Sequence, residues 1–497
     1  GVAGLIKVLE AMHHGQRPAS LHADALNPAL ADTPFRVVRA LEPWTDAHKI
    51  AGISAFGFGG NNAHLIVSED DPTLLAETPT TYELDAPLAV VGIGARVASA
   101  LDVPAFERAL LTGASLVAHD QAATGEFELE LAGLRFPPND LRRTLPQQLL
   151  VLAAAREAML GQTPVSERGG VFLATEIDPE VCRYGARWRV PTRLRERGED
   201  PEAAREWIAE AREAITAKLV AAGVIGTMPN IPANRINAQF DLGGPSWTVY
   251  AGESSGRCAL ELASGALRRG ELDTALVCAV DLSCQQVHVE ALDAIEGRRS
   301  TPGDAAIVLV LRRLADARRA GERVLAILDP ADAHEHPPGQ PTLDPRVDEF
   351  GLRERFGRSW AAGDLRDLGA ALIAGRRGAL PNGQPWAEPR RMHVVGREGS
   401  VGTQLRPSPV VPELVVFAGQ SEAELDLALA TGQFGGNGPC RAVIVASGPS
   451  ELGARVARAR EHLRSGTPTG PGVFVRRRPI VGELAWVFTG AGAAYRG

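Results

Sequence analysis

From Pro87 to Leu328, strand-sized apolar runs alternate with segments of helical period, and this alternation limits the fold more than any other feature of the chain. Runs at 88–93, 171–175, 274–282 and 305–311 are rich in Val, Ile, Leu and Ala and are far too short to cross a bilayer. The segment after Ser255 places Leu260, Leu262, Ala263 and Leu267 in a helical pattern and closes on Arg268-Arg269-Gly270, with cations in the last turn and glycine as the stop. Strands and helices in alternation build an α/β sandwich of layers. A length of 497 residues suggests about three domains at roughly 150 residues each. A hydrophobic fraction of 45% gives apolar material for more than one core. The net charge of −8 argues against a nucleic-acid or anionic-membrane surface. The five cysteines have neither paired nor zinc-like spacing, which points to a reducing, cytoplasmic setting, and no signal-peptide pattern is present.

Before the alternating region, Val2, Leu5, Ile6, Leu9 and Met12 share one face of a helix that Gly15 stops and Pro18 follows. Gly52 to His64 holds four glycines and two phenylalanines, and reads as a tight loop before a strand at 65–68. Residues 69–85 are acidic, with four Thr and two Pro, and read as linker. Beyond the alternating region, 330–345 reads as loop, 356–381 as helix and 407–412 as a Pro-rich joint. A small β-α-β-α unit follows, with strands at 414–417 and 441–446 and helices at 422–429 and from Ser450. Ser421 and Glu424 form a capping box there. A strand at 483–489 runs into a Gly/Ala-rich turn. The opening at Gly1 inside a helical pattern, and the close on such a turn, lead us to expect a piece of a longer polypeptide.

Several stretches resemble ketosynthase domains of modular polyketide and polyunsaturated fatty acid synthases. Gly1-Val-Ala-Gly-Leu-Ile-Lys7 is similar to the helix after that family's second catalytic histidine, and Phe56-Gly-Phe-Gly-Gly-Asn-Asn-Ala-His64 to its C-terminal signature, with Asn61 where Thr is usual. The resemblance implies that Lys7 is a supporting active-site lysine and that Phe56 and Phe58 line the acyl channel, Phe58 as its gate. Read alone, Lys7 is better taken as a surface lysine of an amphipathic helix, and His64 as a residue that hydrogen-bonds locally. The catalytic cysteine and both histidines of that first ketosynthase are not in this chain.

A second ketosynthase-like region begins at Pro87. In the resembling family, the turn between a strand and a long helix carries a nucleophilic cysteine. Here Phe240-Asp-Leu-Gly-Gly-Pro-Ser-Trp-Thr-Val-Tyr-Ala-Gly-Glu-Ser-Ser-Gly256 puts Glu253 at that position. A helix N-terminus carries partial positive charge and free N–H donors, so it stabilises a thiolate or a carboxylate alike. A carboxylate cannot replace the thiol, because its acyl adduct would be a labile anhydride. Phe356-Gly-Arg-Ser-Trp-Ala-Ala-Gly363 looks like a decayed second-histidine motif with Arg358 at the histidine position; no His-Gly-Thr-Gly-Thr motif is present. The resemblance therefore implies a degenerate, chain-length-factor-like domain.

The implied fold is α/β, a thiolase-like layered αβαβα ketosynthase fold with a small α/β adapter before an acyltransferase. The implied order is the end of a ketosynthase at 1–70, a linker at 71–86, a degenerate N-terminal half at 87–330, a shortened C-terminal remnant at 331–412, an adapter at 413–482 and the start of an acyltransferase at 483–497. The implied parent reaction is decarboxylative condensation of malonyl units on acyl carrier protein. No cofactor is bound directly; phosphopantetheine is carried by the carrier protein. The expected partners are acyl carrier protein, malonyl and acyl thioesters, other domains of the synthase and a second copy in a homodimer, with no nucleic acid and no membrane. Two other readings stay open: a malonyl-carrier-protein decarboxylase that uses Glu253, and a scaffold without catalysis.

Other features carry simpler readings. His334-Glu-His336 lies in a Pro-rich loop without further ligands and is a solvated loop rather than a metal site. Gly92-Ile-Gly94 lacks the third glycine and the acid of a dinucleotide fingerprint. Arg476-Arg-Arg478 reads as a solvated basic face.

Overall fold

The computed structural model describes residues 1–57, 62–69, 85–162, 167–176, 178, 181–297, 299–331, 340–344, 347–387, 390–395, 402–408, 413–432, 435, 437–446 and 449–478. Phe58, His334, His336, most of the expected linker and the expected acyltransferase start lie outside these residues. The chain divides into two compact units, 1–408 and 409–497.

The first unit is built on a nine-stranded mixed sheet. Its order is Thr342–Leu343, Met392–Val394, Gly402–Pro407, Ala326–Ala331, Leu88–Val97, Asp304–Arg313, Thr274–Leu282, Gly169–Ala174 and Ser246–Val249. The fold class is the expected layered α/β, with helices on both faces of this sheet. The expected shortened C-terminal remnant adds strands to the same sheet among the described residues. Side-chain alternation assigns the faces: Ala275, Val277 and Ala279 join Ala305, Ile307 and Leu309 in one core, while Leu276, Cys278 and Val280 join Ala306, Val308 and Val310 in the other. A bulge at Val91 switches the parity of the central strand. Leu88 and Val90 before it, and Ile93, Ala95 and Val97 after it, all reach the same core. On the first face pack the helices Val103–Thr112, Ser255–Arg268 and Gly363–Arg376; on the second pack Pro146–Ala158 and Ile231–Phe240.

Gly92 and Gly94 have a packing role. A Cβ on Gly94 would lie 1.9 Å from the carbonyl oxygen of Ala154, and one on Gly92 would lie 2.2 Å from that of Ala158. The two glycines let the helix Pro146–Ala158 sit directly on the strand, which accounts for the Gly-Ile-Gly pattern without a nucleotide.

Two expectations for the N-terminal segment change. Residues Gly52 to Phe56 are not loop: the strand Ile50–Phe56 pairs antiparallel with Asn62–Ser68. Gly52 serves the pairing, since a Cβ there would touch the His64 ring at 3.0 Å. His64 accepts or donates a 2.9 Å hydrogen bond to Ser54 across the ladder, the local structural role read from its sequence context. The helix Val2–His13 forms as expected and buries Met12, but Val2, Ile6 and Leu9 of its apolar face are exposed. The stretch at 356–381 is also not one helix; it breaks into Leu352–Phe356, a short 3₁₀ turn at Trp360–Ala362, and Gly363–Arg376.

In the second unit the strands Glu413–Gly419, Cys440–Ala446 and Val473–Arg476 form an antiparallel sheet under the helices Glu422–Thr431 and Pro449–Ser465. The third strand was not legible from its short run. Ser421 accepts from the Glu424 amide, while the Glu424 carboxylate reaches the amide of Gln420, one residue earlier than a standard capping box. Arg477 is not simply solvated: it donates to the carbonyls of His462 and Leu463, placing a cation on the last turn of the second helix.

Candidate functional site

The strand Ser246–Val249 ends at an edge of the sheet, and the chain turns through Gly252 (φ +58°) into a 3₁₀ turn, Gly252–Ser254, that opens the helix Ser255–Arg268. A positive φ suits glycine and makes the corner sharp. Ser255 braces it: its hydroxyl accepts from the Ala251 amide at 2.8 Å and donates to the Gly252 carbonyl at 2.7 Å. Gly256 lets the segment from Ala361 to Leu365 approach closely, with a Cβ there 3.2 Å from the Leu365 amide nitrogen. Glu253 therefore stands at the head of a helix, half-buried, as its sequence context implies.

Its partner comes from the stretch at 356–363, which resembles a decayed histidine motif. Arg358 Nε donates to Glu253 Oε1 at 2.5 Å, and both terminal nitrogens of Arg358 donate to the Glu296 carboxylate at 2.7 Å. Its guanidinium also lies 4.6 Å from the centre of the Trp360 ring. Only 10% of the Arg358 side chain is exposed, against 38% for Glu253. The hydrogen bonds to Glu296, with the one to Glu253, hold the guanidinium pKa above its ordinary value against the opposing effect of burial. The arginine is thus a permanent cation.

Two glycines and a buried arginine place that cation. Arg358 bridges the turn at 301–303, donating its amide to Thr301 and accepting from Gly303 at 2.9 Å. The crossing needs Gly303 and Gly357, whose added Cβ atoms would lie 2.1 and 2.3 Å from facing carbonyl oxygens. Arg366 is 1% exposed, pairs with Asp367, and donates to the Gly357 carbonyl and the Ser359 hydroxyl. It fixes the Gly357 carbonyl before Arg358 and the Ser359 side chain after it.

Behind the ion-pair cluster lies a buried acid and an imidazole. Asp281 accepts from Ser283 Oγ at 2.8 Å and from the Ala361 amide at 3.4 Å, and burial pushes its carboxyl up to about 7. His288 stands edge-on to Trp360, with Nδ1 3.8 Å from Asp281 Oδ1. Burial, with Arg358 nearby, lowers the pKa of its imidazole. Asp304 ties the floor together by accepting from the amides of Thr124 and Cys284, each at 2.9 Å, and burial raises its carboxyl. Burial also raises the thiols of Cys278 and Cys284, so neither supplies a ready thiolate.

Sequence reading located Glu253 and Arg358 but not their contact, and it missed Glu296, Asp281, His288 and Asp304. Asp281 and Asp304 carried a signal: each is an acid at or next to one end of a strand whose interior is apolar. Glu296 and His288 sit on an ordinary amphipathic helix and carried none. Lys7 is on the exposed side of its helix, and Phe56 is 81% exposed at the end of its strand. Among the described residues neither one hydrogen-bonds or ion-pairs with the groups around Glu253. Phe58 lies outside the described residues.

Residues 85–308 match the family model of the beta-ketoacyl synthase N-terminal domain, and residues 26–104 match the ketoacyl-synthetase C-terminal extension. The chain is 31% identical over 335 residues to a component of the polyunsaturated fatty acid synthase of Thraustochytrium. That match covers 59% of this chain and 16% of the relative. Over 74 residues it is 55% identical to the polyketide synthase ThaG of Burkholderia thailandensis, covering 14% of this chain and 1% of that protein. The chain thus spans a small part of these relatives. Among solved structures, the PfaC keto synthase–chain length factor matches with a TM-score of 0.65 at 17% identity, over 96% of this chain and 57% of that one, a likeness of fold.

Proposed function

From a chain that carries ketosynthase-family domains of the polyketide and polyunsaturated fatty acid synthase kind, with the beta-ketoacyl synthase N-terminal domain at residues 85–308, we propose that this domain is a noncatalytic, chain-length-factor-like partner of an active ketosynthase. The observation that carries the proposal is the Glu253–Arg358–Glu296 ion-pair cluster at the head of the helix Ser255–Arg268.

Condensation on this fold needs a thiolate that takes the acyl chain and imidazoles that move protons and hold the enolate. A carboxylate at the first position forms no durable acyl adduct. A guanidinium at the second cannot give up its proton near neutral pH. The two exchange the charge that the helix N-terminus would otherwise lend to a nucleophile, so the corner is neutralised internally. In this reading the parent synthase condenses malonyl units delivered on the phosphopantetheine arm of an acyl carrier protein. The present domain pairs with a catalytic one and helps to bound its acyl tunnel. In this reading the setting is cytoplasmic, as cysteines without paired spacing suggest. No helix among the described residues is long and apolar enough to cross a membrane.

Incubation of the purified chain with malonyl- and acyl-carrier protein tests the proposal. We expect no acyl adduct on the chain by intact mass spectrometry and no acetyl-carrier protein above a Glu253→Ala control. An adduct at residue 253 would overturn it. So would release of CO2 that depends on Glu253, which would establish the decarboxylase in its place. The ion pair speaks against that outcome, because Glu253 is held by Arg358 rather than free to engage a substrate.

A further inference from the structure

Away from the Glu253 corner, a cavity of about 230 Å³ opens between the loop that precedes the helix Pro146–Ala158 and the segment that follows the helix Arg205–Ile215. Arg142, Arg143 and Lys218 line it, with Tyr184 from the helix Val181–Glu196 and Thr144 at its wall. No acid is among its lining residues. Among the described residues, the side chains of Arg142, Arg143 and Lys218 form no ion pair or hydrogen bond. Three cations without an ion pair thus gather on one cavity of a chain whose net charge is −8.

A fourth cation stands behind the wall. Arg235 is 4% exposed; its Nη2 donates to Thr144 Oγ1 at 3.3 Å, and its guanidinium lies 4.7 Å from the Phe136 ring. Its Nε is buried without a hydrogen-bond partner. Asp140 offsets part of the charge of Arg235, but no acid lines the cavity in front of it. Like charges gathered on one cavity repel, and a bound anion relieves that repulsion. Two adjacent guanidinium forks, an ammonium and a phenol supply the planar and point-charge donors that suit the oxygens of a phosphate group.

We propose that the cavity lined by Arg142, Arg143, Lys218 and Tyr184 is a binding site for a phosphate ester. A cavity of this size holds a phosphate together with a short part of the group it is attached to. The ester is either tethered, as on a pantetheine-type arm, or free, as in a small phosphorylated metabolite. The site stands independently of the reading of the Glu253 corner.

Isothermal titration of the full chain with inorganic pyrophosphate and with pantetheine 4′-phosphate, at fixed ionic strength set with chloride, tests the assignment. We expect saturable binding of at least one probe, weakened tenfold or more in the Arg142→Ala/Arg143→Ala double variant and separately in Lys218→Ala. A gain for pantetheine 4′-phosphate over pyrophosphate identifies the tethered source, and the reverse order the free one. These side chains are exposed, and an unchanged thermal midpoint verifies that the variants fold. Binding of neither probe, or affinity equal in the wild type and both folded variants, would overturn the proposal.

Discussion

Glu253 and Arg358 are 105 residues apart in sequence and meet at 2.5 Å at the head of the helix Ser255–Arg268. The contact joins the two positions where the family resemblance places a nucleophile and a histidine, and it turns both into a structural ion pair. Glu296 completes the cluster and is the better-buried of the two acids, 18% exposed against 38% for Glu253.

Arg358→Met should therefore cost more than either acid substitution. Removing the cation leaves two carboxylates facing each other at a partly buried site, which costs about 3 kcal/mol. Glu253→Gln keeps the Arg358–Glu296 pair and loses only the more exposed arm, about 0.5–1 kcal/mol. Urea unfolding of the two variants and the wild type measures both. Equal losses would show that Glu253, rather than Glu296, anchors the arginine.

Arg366 is a positioning residue for that cluster. It is fully buried and holds the Gly357 carbonyl and the Ser359 hydroxyl on either side of Arg358. Arg366→Leu should destabilise the first unit by about 3–5 kcal/mol, since it strands Asp367 and two backbone-linked acceptors in the interior. Arg366→Lys should lose nearly as much, because one ammonium cannot reach partners that a planar fork serves together. Thermal unfolding followed by circular dichroism measures both losses.

The strand ends that hold Asp281 were visible in the sequence, and so were the helix behind Glu253 and its Arg268-Arg269-Gly270 stop. These signals are local: apolar runs, a sharp glycine corner, a terminal cation. Arg358–Glu253, His288–Trp360 and Asp281–Ala361 depend on which loops the sheet brings together, and no periodicity reports that. The strand Ile50–Phe56 was hidden for a different reason. Gly52 and Gly57 mark it as loop, yet Gly52 is there to admit the His64 ring across the ladder. The same residue type thus signals a turn in one place and a close approach in another, and only the neighbour decides between them.

The buried acid and imidazole give opposite contributions to the pH dependence of stability. The Asp281 carboxyl is raised from its ordinary 3.8 to about 7, so between about pH 4 and pH 7 the folded chain holds a proton that the unfolded chain has released. Stability from this group is present at low pH and is lost as pH rises through that window, by at most about 1.4 kcal/mol per pH unit. His288 is lowered, so its contribution is lost as pH falls below its ordinary value near 6.5. Asp281→Asn should flatten the fall in stability between pH 5 and pH 7 and leave the histidine's acid-side loss in view. Urea midpoints at half-unit pH intervals report it; an unchanged slope would place the Asp281 proton elsewhere.

Glycine substitutions separate close packing from chain flexibility. Gly94 lies under the helix Pro146–Ala158, and its Cβ would meet the Ala154 carbonyl at 1.9 Å, a backbone group with no flexible side chain to yield. Gly94→Ala should push the helix from the sheet and cost about 3 kcal/mol or more. Gly453 lies inside the helix Pro449–Ser465 of the second unit, with nothing within 4 Å of an added Cβ. Gly453→Ala should stabilise that unit by about 0.5–1 kcal/mol, because alanine restricts the unfolded chain and fits the helix. Differential scanning calorimetry of the full chain measures both variants. Loss of stability in Gly453→Ala would mean that something covers that helix face, and a neutral Gly94→Ala would mean that the Gly-Ile-Gly pattern is not there for the helix.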